Sequence, residues 1–503
     1  MIGTSLWEYI FIRACAIGLH FIAPLSLLYC SIVLFLRAIG IHDYRYPLIL
    51  EIWLLAETAF FLFVYLPFNY YLQRAATHPE LPPREGRREL FRQCHDNVPD
   101  PQRYLSKWFL NAPIEEIKRE NVKEFLRWAF LNKSEIDAAD EEELNEYVEG
   151  LEKLVGRRFE KGRGEAKCLR LTLDRVNMLH RSLAWYMCVF VVDTLTYLRM
   201  LYHSFHFHRL PFGRILTVFP LRPLTLLSRH RTPARTLTYW HRPHTSKSRL
   251  PILFIHGIGI GLYPYVKFLA ELNSDDELGV SDGELGIIAV EIMPVSFRIT
   301  GPALQKEEMC EEVRKILAKH GWEEFVLVSH SYGSVISTHL LHDRDLSRKI
   351  QGLVLIDPVS FLLHLPDVAF NFIKRKPMRA NEHQLYYFGS KDMGVSHTLS
   401  RRFFWSENIL WKHDIEDRHV TVSLSGKDLI VDTDSVRQYL TGKNGFSDPG
   451  SSLAEDWSNG KWTGNGLNVL WFENLDHAQV FDLAKNRRLL GDIIRGDCAC
   501  IGR

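Results

Sequence analysis

The run Phe325-Val326-Leu327-Val328-Ser329-His330-Ser331-Tyr332-Gly333-Ser334-Val335-Ile336 joins two kinds of local structure without a linker. It opens as a short apolar run of the β type and closes on small and apolar residues suited to a helix. A tight Ser-His-Ser-Tyr-Gly lies between the two. A serine on so sharp a strand-to-helix turn has its hydroxyl pushed out of the backbone, where a histidine base can reach it. This is the nucleophile-elbow pattern, usually written Gly-x-Ser-x-Gly. Gly333 fills the second glycine position and Ser329 stands at the first. Ser329 is still small, so the backbone segments of the turn can approach, with less room. A pentapeptide of this kind also recurs by chance in long chains, so the flanking segments carry the weight of the reading.

Upstream, Thr236-Leu-Thr-Tyr-Trp-His-Arg-Pro reads as a strand, and Leu250–Ile255 as a buried strand running into His256-Gly257-Ile258-Gly259. Glycines after a parallel strand can cradle a phosphate, but G-x-G-x-x-G fails here because Leu262 follows Gly257, Gly259 and Gly261. The P-loop Gly-Lys-Ser/Thr is absent as well. A third strand is expected at Gly286–Ile292, then a helix from about Ala303 to Lys319 that ends at Gly321. Beyond the elbow, Gln351–Ile356 is a buried strand ending at Asp357, His419–Ser425 a strand leading to Asp428, and Leu467–Phe472 the last strand. Asp476-His477-Ala-Gln-Val-Phe is expected to open the last helix. The alternation predicts an α/β class with a doubly wound, mostly parallel sheet. Reactive groups then gather at the C-terminal ends of the strands.

The order Ser331, Asp428, His477 resembles the Ser…Asp…His order of the α/β-hydrolase superfamily, serine esterases and lipases among them. His-Gly-x-Gly at 256–259 looks like its oxyanion loop, Ser425-Gly-Lys-Asp428 its acid turn, and Asp476-His477 its histidine turn. The likeness spans about residues 235–490. It implies that Ser331 is the nucleophile, His477 the general base and acid, and Asp428 the group that orients and stabilises the imidazolium. By position, the amides of Tyr332 and Ile258 would form the oxyanion hole. His256, His330, Gly257, Gly259, Ser329 and Gly333 flank the site as structural residues. Asp357 and Asp432 are alternative acids, and His419 and His413 compete less well because only His477 follows the last strand. Haloalkane-type or epoxide-type chemistry is disfavoured, since those enzymes carry aspartate at the elbow. About sixty residues, 358–418, would form a helical cap over the pocket, aromatic and basic, suited to touching lipid headgroups or to packing an aromatic core of its own. Tyr439–Asn465, rich in Gly, Ser and Asn, reads as a surface loop.

The chain has 503 residues, enough for two to four domains, and its 61 basic and 60 acidic residues give no electrostatic case for nucleic acid. Eight cysteines are scattered without C-x-x-C, which points to free thiols and to no zinc site. Cys498 and Cys500 are read as part of an ordinary tail. Asn132-Lys-Ser134 is a lone glycosylation sequon close to chance.

The apolar residues are unevenly spread. Cys15–Leu36 is long enough to cross a hydrocarbon core of about 30 Å, and too long, without Ala-x-Ala, for a signal peptide. Pro47–Phe68 is a second such run, whose Glu51 and Glu57 should face another helix, water or the headgroups. The short link Arg37–Arg45 makes the pair a hairpin. Arg74, Arg84, Arg87, Arg88 and Arg92 follow it, which by the positive-inside rule keeps the large C-terminal part cytosolic. Residues 79–181 read as soluble helical structure. Leu183–Leu198, carrying Asp193, is short for a span and reads as a buried or surface helix. His203, His206 and His208 have no carboxylate at metal-binding spacing and are read as packing or interfacial residues, within an aromatic and basic segment that suits a membrane surface.

The expected organisation is a membrane-anchoring hairpin over 1–75, a helical membrane-proximal region over 76–234, the hydrolase-like domain over 235–490 and a tail over 491–503. The expected activity is membrane-bound cleavage of an apolar or lipid-like carboxylic ester through an acyl-enzyme, with no cofactor and no metal. An acyltransferase using the same triad, and a non-catalytic membrane scaffold of this fold, are the alternatives.

Overall fold

The structure, a computed structural model, describes residues 2–40, 47–273, 283–442, 461–464 and 466–500. Its centre is a ten-stranded sheet: β1 (His206–Arg209), β2 (His230–Arg231), β3 (Thr238–Arg242), β4 (Ile252–Ile255), β5 (Ile287–Glu291), β6 (Phe325–His330), β7 (Ile350–Ile356), β8 (His419–Ser425), β9 (Lys461–Gly464) and β10 (Leu467–Phe472). In space the order is β2-β1-β3-β5-β4-β6-β7-β8-β10-β9. The run β5-β4-β6-β7-β8-β10 is parallel throughout. β3 and β1 extend one side antiparallel, β2 joins β1 in parallel, and β9 closes the other side antiparallel.

The central strands read as unbroken apolar runs because helices cover both faces. Their alternate residues divide between two cores. Leu253, Ile255, Leu327 and Leu353 point into one, and Ile252, Phe254, Val326 and Val354 into the other.

The first core does not stop at the sheet. It continues into four helices of the N-terminal part, here α3 (Arg84–Asp96), α4 (Pro101–Trp108), α5 (Arg119–Leu131) and α6 (Glu141–Val155), after α1 (Leu6–Ala38) and α2 (Leu48–Leu72). These are followed by α7 (Leu183–Tyr202), α8 (Lys306–His320), α9 (Gly333–His342) and α10 (Ala484–Cys500). Within the segment 79–181 the helices end at Val155, residues 156–182 carry none, and the helical part packs on the sheet domain.

α1, α2 and α7 are long and apolar enough, by length and composition, to cross a membrane. α7 runs 20 residues rather than the 16 or so read from Leu183–Leu198, about 30 Å of helix. The carboxylates inside these helices meet partners, as the cost of burying them requires. Glu51 accepts the Tyr29 hydroxyl at 2.9 Å. Glu57, fully buried, accepts the amides of Leu183 and Ala184 at 2.8 and 2.9 Å and so caps α7. Asp193 pairs with Arg298, while Val191, Leu195 and Leu198 on other faces of α7 stay exposed.

Three sequence readings change. The segment around His206, read as a membrane-surface stretch, supplies β1 and β2, because β1 finds the free edge of β3, with Phe207 opposite Trp240. The sheet thus begins upstream of residue 235. The expected tail is helical through Cys500, and Cys498 is buried and unbridged. The link at 41–46, with Arg45, and most of the loop Tyr439–Asn465 lie outside the described residues.

Candidate active site

The elbow forms because β6 ends against its neighbours and α9 starts one residue past Tyr332. Ser331 is held at a φ of 52°, left-handed backbone that a serine adopts only under constraint. The constraint is visible. The Ser331 amide donates to the carbonyl of Ile356 at 3.0 Å, and Ser334 Oγ donates to the Ser331 carbonyl at 2.7 Å. Ser334 in turn accepts the Val359 amide at 3.0 Å and the Ser360 hydroxyl at 2.9 Å, which ties the elbow to the chain leaving β7. Gly333 is required by space: a Cβ there would lie 2.4 Å from the Ile255 carbonyl oxygen. Gly257 is required too, since its Cβ would fall 2.7 Å from Ser331 Cβ. Gly259 faces open space and its amide donates to Val295. Ser329 fits where glycine is usual because its hydroxyl points at α9 and accepts from Ser337 Oγ at 2.8 Å.

His477 Nε2 stands 2.8 Å from Ser331 Oγ, and His477 Nδ1 stands 2.7 Å from Asp428 Oδ2. With Nδ1–H donated to the carboxylate, Nε2 is left as the acceptor facing the serine. Asp428 Oδ1 accepts the amides of Ile430 and Val431 at 2.7 and 3.0 Å, which fixes the acid turn. Burial disfavours the His477 imidazolium, but Asp428, then Asp357 and Asp476, outweigh it and push the ring up to about 9.

The competing residues make other contacts. Asp357, buried at the end of β7, accepts the Ala478 amide at 2.8 Å and does not contact the ring nitrogens of His477 by hydrogen bond. Burial and Asp428 push it up to about 6, against the pull of His477. Asp432 caps the helix Thr433–Thr441 and pairs with Arg103 at 3.0 Å. His419 bonds Asp497, and His413 lies by Asp414. His256 Nε2 accepts the Ile292 amide at 2.9 Å, and burial lowers it to about 4. His330 meets Tyr265 Oη at 2.8 Å, and burial holds it neutral.

Among the described residues, the amides of Tyr332 and Ile258 find no acceptor. Both residues line, with Ser331, an apolar cavity of about 50 Å³. Its walls include Leu363, Phe372 and Phe403 from the expected cap and, unexpectedly, Trp108 and Trp128 from the N-terminal helices. Nothing in local sequence marks those tryptophans, since their role depends on α4 and α5 packing over the elbow. The cap's basic residues do not all face outward either. Arg401 is buried and donates to the carbonyls of Arg74, Thr172 and Asp174, so the cap is tied to the N-terminal region. Asp476, read only as part of the histidine turn, joins three pieces: it accepts the amides of Leu429 and His477 and the Asn381 side chain from the cap. A larger cavity of about 290 Å³ lies between β5 and the segment 207–226, without Ser331, Asp428 or His477 in its walls.

Residues 251–396 match the family described as alpha/beta hydrolase fold. The C-terminal half of the chain has the α/β-hydrolase fold. Solved structures similar to this chain include a membrane phospholipase A described as a bacterial virulence factor, at 11% identity and a TM-score of 0.38, covering 62% of this chain and 93% of that one. Carboxylesterase CesB from Bacillus subtilis is similar at 11% identity and a TM-score of 0.37, covering 62% of this chain and 99% of that one. Haloalkane dehalogenase DbeA from Bradyrhizobium elkani is similar at 10% identity and a TM-score of 0.34, covering 52% of this chain and 95% of that one. No curated protein matches the chain.

Proposed function

We propose that the protein is a membrane-anchored serine hydrolase that cleaves an apolar or lipid-like carboxylic ester. The observation that carries this reading is the continuous contact from Asp428 through His477 to Ser331, at 2.7 and 2.8 Å, beneath an apolar cavity. In the first half-reaction Ser331 Oγ attacks the acyl carbon while His477 Nε2 takes its proton. The Tyr332 and Ile258 amides face the developing oxyanion, each worth about 3–4 kcal/mol of barrier. Collapse breaks the ester C–O bond, and His477 passes the proton to the departing alkoxide. Water then attacks the acyl-enzyme, gives its proton to His477, and the acid leaves as Ser331 regains its hydrogen. Asp428 orients the imidazole and stabilises the imidazolium.

Lipid origin is supported by the position of the anchor. α1 packs on the cap helix Ala380–Gln384, with the Ile2 amide on Gln384 Oε1 at 3.0 Å and Tyr9 edge-on to His383. The expected headgroup-facing lid is thereby brought beside a helix with an exposed apolar face. The cavity, about 50 Å³, accommodates a short acyl group as it stands, so longer chains require the cap to move. Membrane fractions carrying the full chain, assayed against p-nitrophenyl esters of increasing acyl length, test this reading. Turnover that is lost in Ser331→Ala supports it, and equal turnover in both defeats it.

A further inference from the structure

Five imidazoles crowd one edge of the sheet, strands away from the elbow on β6. In the β1–β3 register His206 lies opposite His241 and His208 opposite Tyr239, so all four side chains share one face. His230 of β2 is level with His208. α8 covers this face and delivers His320 in its last turn. β3 runs against β5, with Thr238 level with Glu291 and His241 level with Ile288. Tyr239, opposite His208, is level with Val290, so the cluster lies along the β1–β3 edge of the sheet, separated from β6 by β5 and β4.

We propose that His208, His241 and His320 together bind one divalent transition-metal cation of the zinc class. One nitrogen from each ring lies within 4.8 Å of the other two. Zinc–imidazole bonds of about 2.0–2.1 Å ask for about 3.3 Å between tetrahedral ligand atoms, so small side-chain rotations complete the site. The second, independent observation is His208 itself. It is 3% exposed, and neither Nδ1 nor Nε2 has a hydrogen-bond partner among the described residues. A buried imidazole with both nitrogens unused is costly, and a metal bond removes that cost at one of them. The Tyr239 hydroxyl meets His320 Nε2 at 2.9 Å, the kind of outer contact that orients a ligating ring.

An all-imidazole donor set suits Zn²⁺, Cu²⁺ and Ni²⁺, whereas Mg²⁺ and Ca²⁺ take oxygen ligands. Three protein ligands leave the fourth position to water or to a neighbouring ring. The cations adjacent to the three histidines in sequence are engaged elsewhere: Lys319 donates to the Arg231 carbonyl, Arg209 to the carbonyls of Ser228 and Leu210, and Arg242 pairs with Glu284. Bound metal would tie β1 and β3, the antiparallel edge of the sheet, to the end of α8. Sequence reasoning misses the set because the three histidines lie on separate elements, 33 and 79 residues apart (241 − 208 and 320 − 241).

The test uses the full chain in detergent, without a histidine tag, stripped with chelator and titrated with ZnCl₂. One Zn²⁺ per chain is expected, with an X-ray absorption shell of imidazole nitrogens at about 2.0 Å and a rise in melting temperature on binding. His241→Gln and His320→Gln, both half-buried, should each weaken binding tenfold or more while melting like wild type in chelator. His413→Gln, outside the cluster, should bind as wild type does. The proposal is overturned if the stripped chain takes up no Zn²⁺ or shows a shell without imidazole. It is overturned equally if the His241→Gln, His320→Gln double variant binds as tightly as wild type. Because Ser331 plays no part in the readout, this outcome is independent of the proposed ester chemistry.

Discussion

Asp357 Oδ2 accepts the backbone amide of Ala478 at 2.8 Å, directly after the histidine that Asp428 holds. A second buried carboxylate thus stands near the His477 ring without bonding to it, and its charge raises that ring's pKa. A base must be neutral to act, so kcat/KM should rise as pH increases through the raised His477 value. Asp357→Asn keeps an oxygen for the Ala478 amide and removes the charge. It should move this acidic limb to lower pH and leave the plateau rate within about tenfold, whereas Asp428→Asn should cost about 10⁴ in kcat. Full pH–rate profiles of the two variants distinguish the roles.

The same proton affects stability. His477 has an ordinary value of 6.5 and is pushed up to about 9 in the folded chain. Its contribution is fully present below pH 6.5 and is lost as pH rises through about 9. His477→Gln should therefore flatten this part of the pH dependence between pH 6 and pH 9.5, seen as a change in the wild-type minus variant difference in denaturation midpoint. An unchanged difference across that window contradicts it.

Ser329 and Ser337 behave as a unit. Ser337→Ala removes the donor to Ser329 Oγ in a fully buried place, and should cost about 1–3 kcal/mol by denaturant unfolding. Ser329→Gly with Ser337→Ala should cost less than the sum of the two single changes, because the buried partner left unpaired is removed with it.

Trp128 closes the cavity from the N-terminal helices and donates to Thr172 Oγ1 at 3.0 Å. Trp128→Phe frees volume beside Ser331, so the preferred acyl chain should lengthen by a few carbons, at a stability cost of about 1–3 kcal/mol. An ester-length series on wild type and variant checks this; an unchanged optimum would remove the N-terminal helices from the acyl site.

The strands of the parallel sheet were legible because each is a short apolar run, two of them followed at once by a residue of distinct chemistry, Ser331 and Asp357. The order Ser331, Asp428, His477 was legible for the same reason. What stayed hidden depended on contacts between distant segments. β1 is amphipathic by no local rule; it is a strand because β3 offers an edge. Ser329 reads as a substituted glycine until Ser337 is placed opposite it. Trp108 and Trp128 look like core residues of a separate helical region until that region covers the elbow. The short reading of α7 came from Asp193, which looks like an interruption until Arg298 is found beside it.

The central claim is that Ser331 is a nucleophile activated by His477. The full chain in its membrane fraction, treated with a fluorophosphonate and analysed by peptide mass spectrometry, tests it most directly. The account predicts one adduct, on Ser331, absent in Ser331→Ala and slowed at least a hundredfold in His477→Ala. An adduct on another residue, or none on a folded wild-type chain, would contradict it.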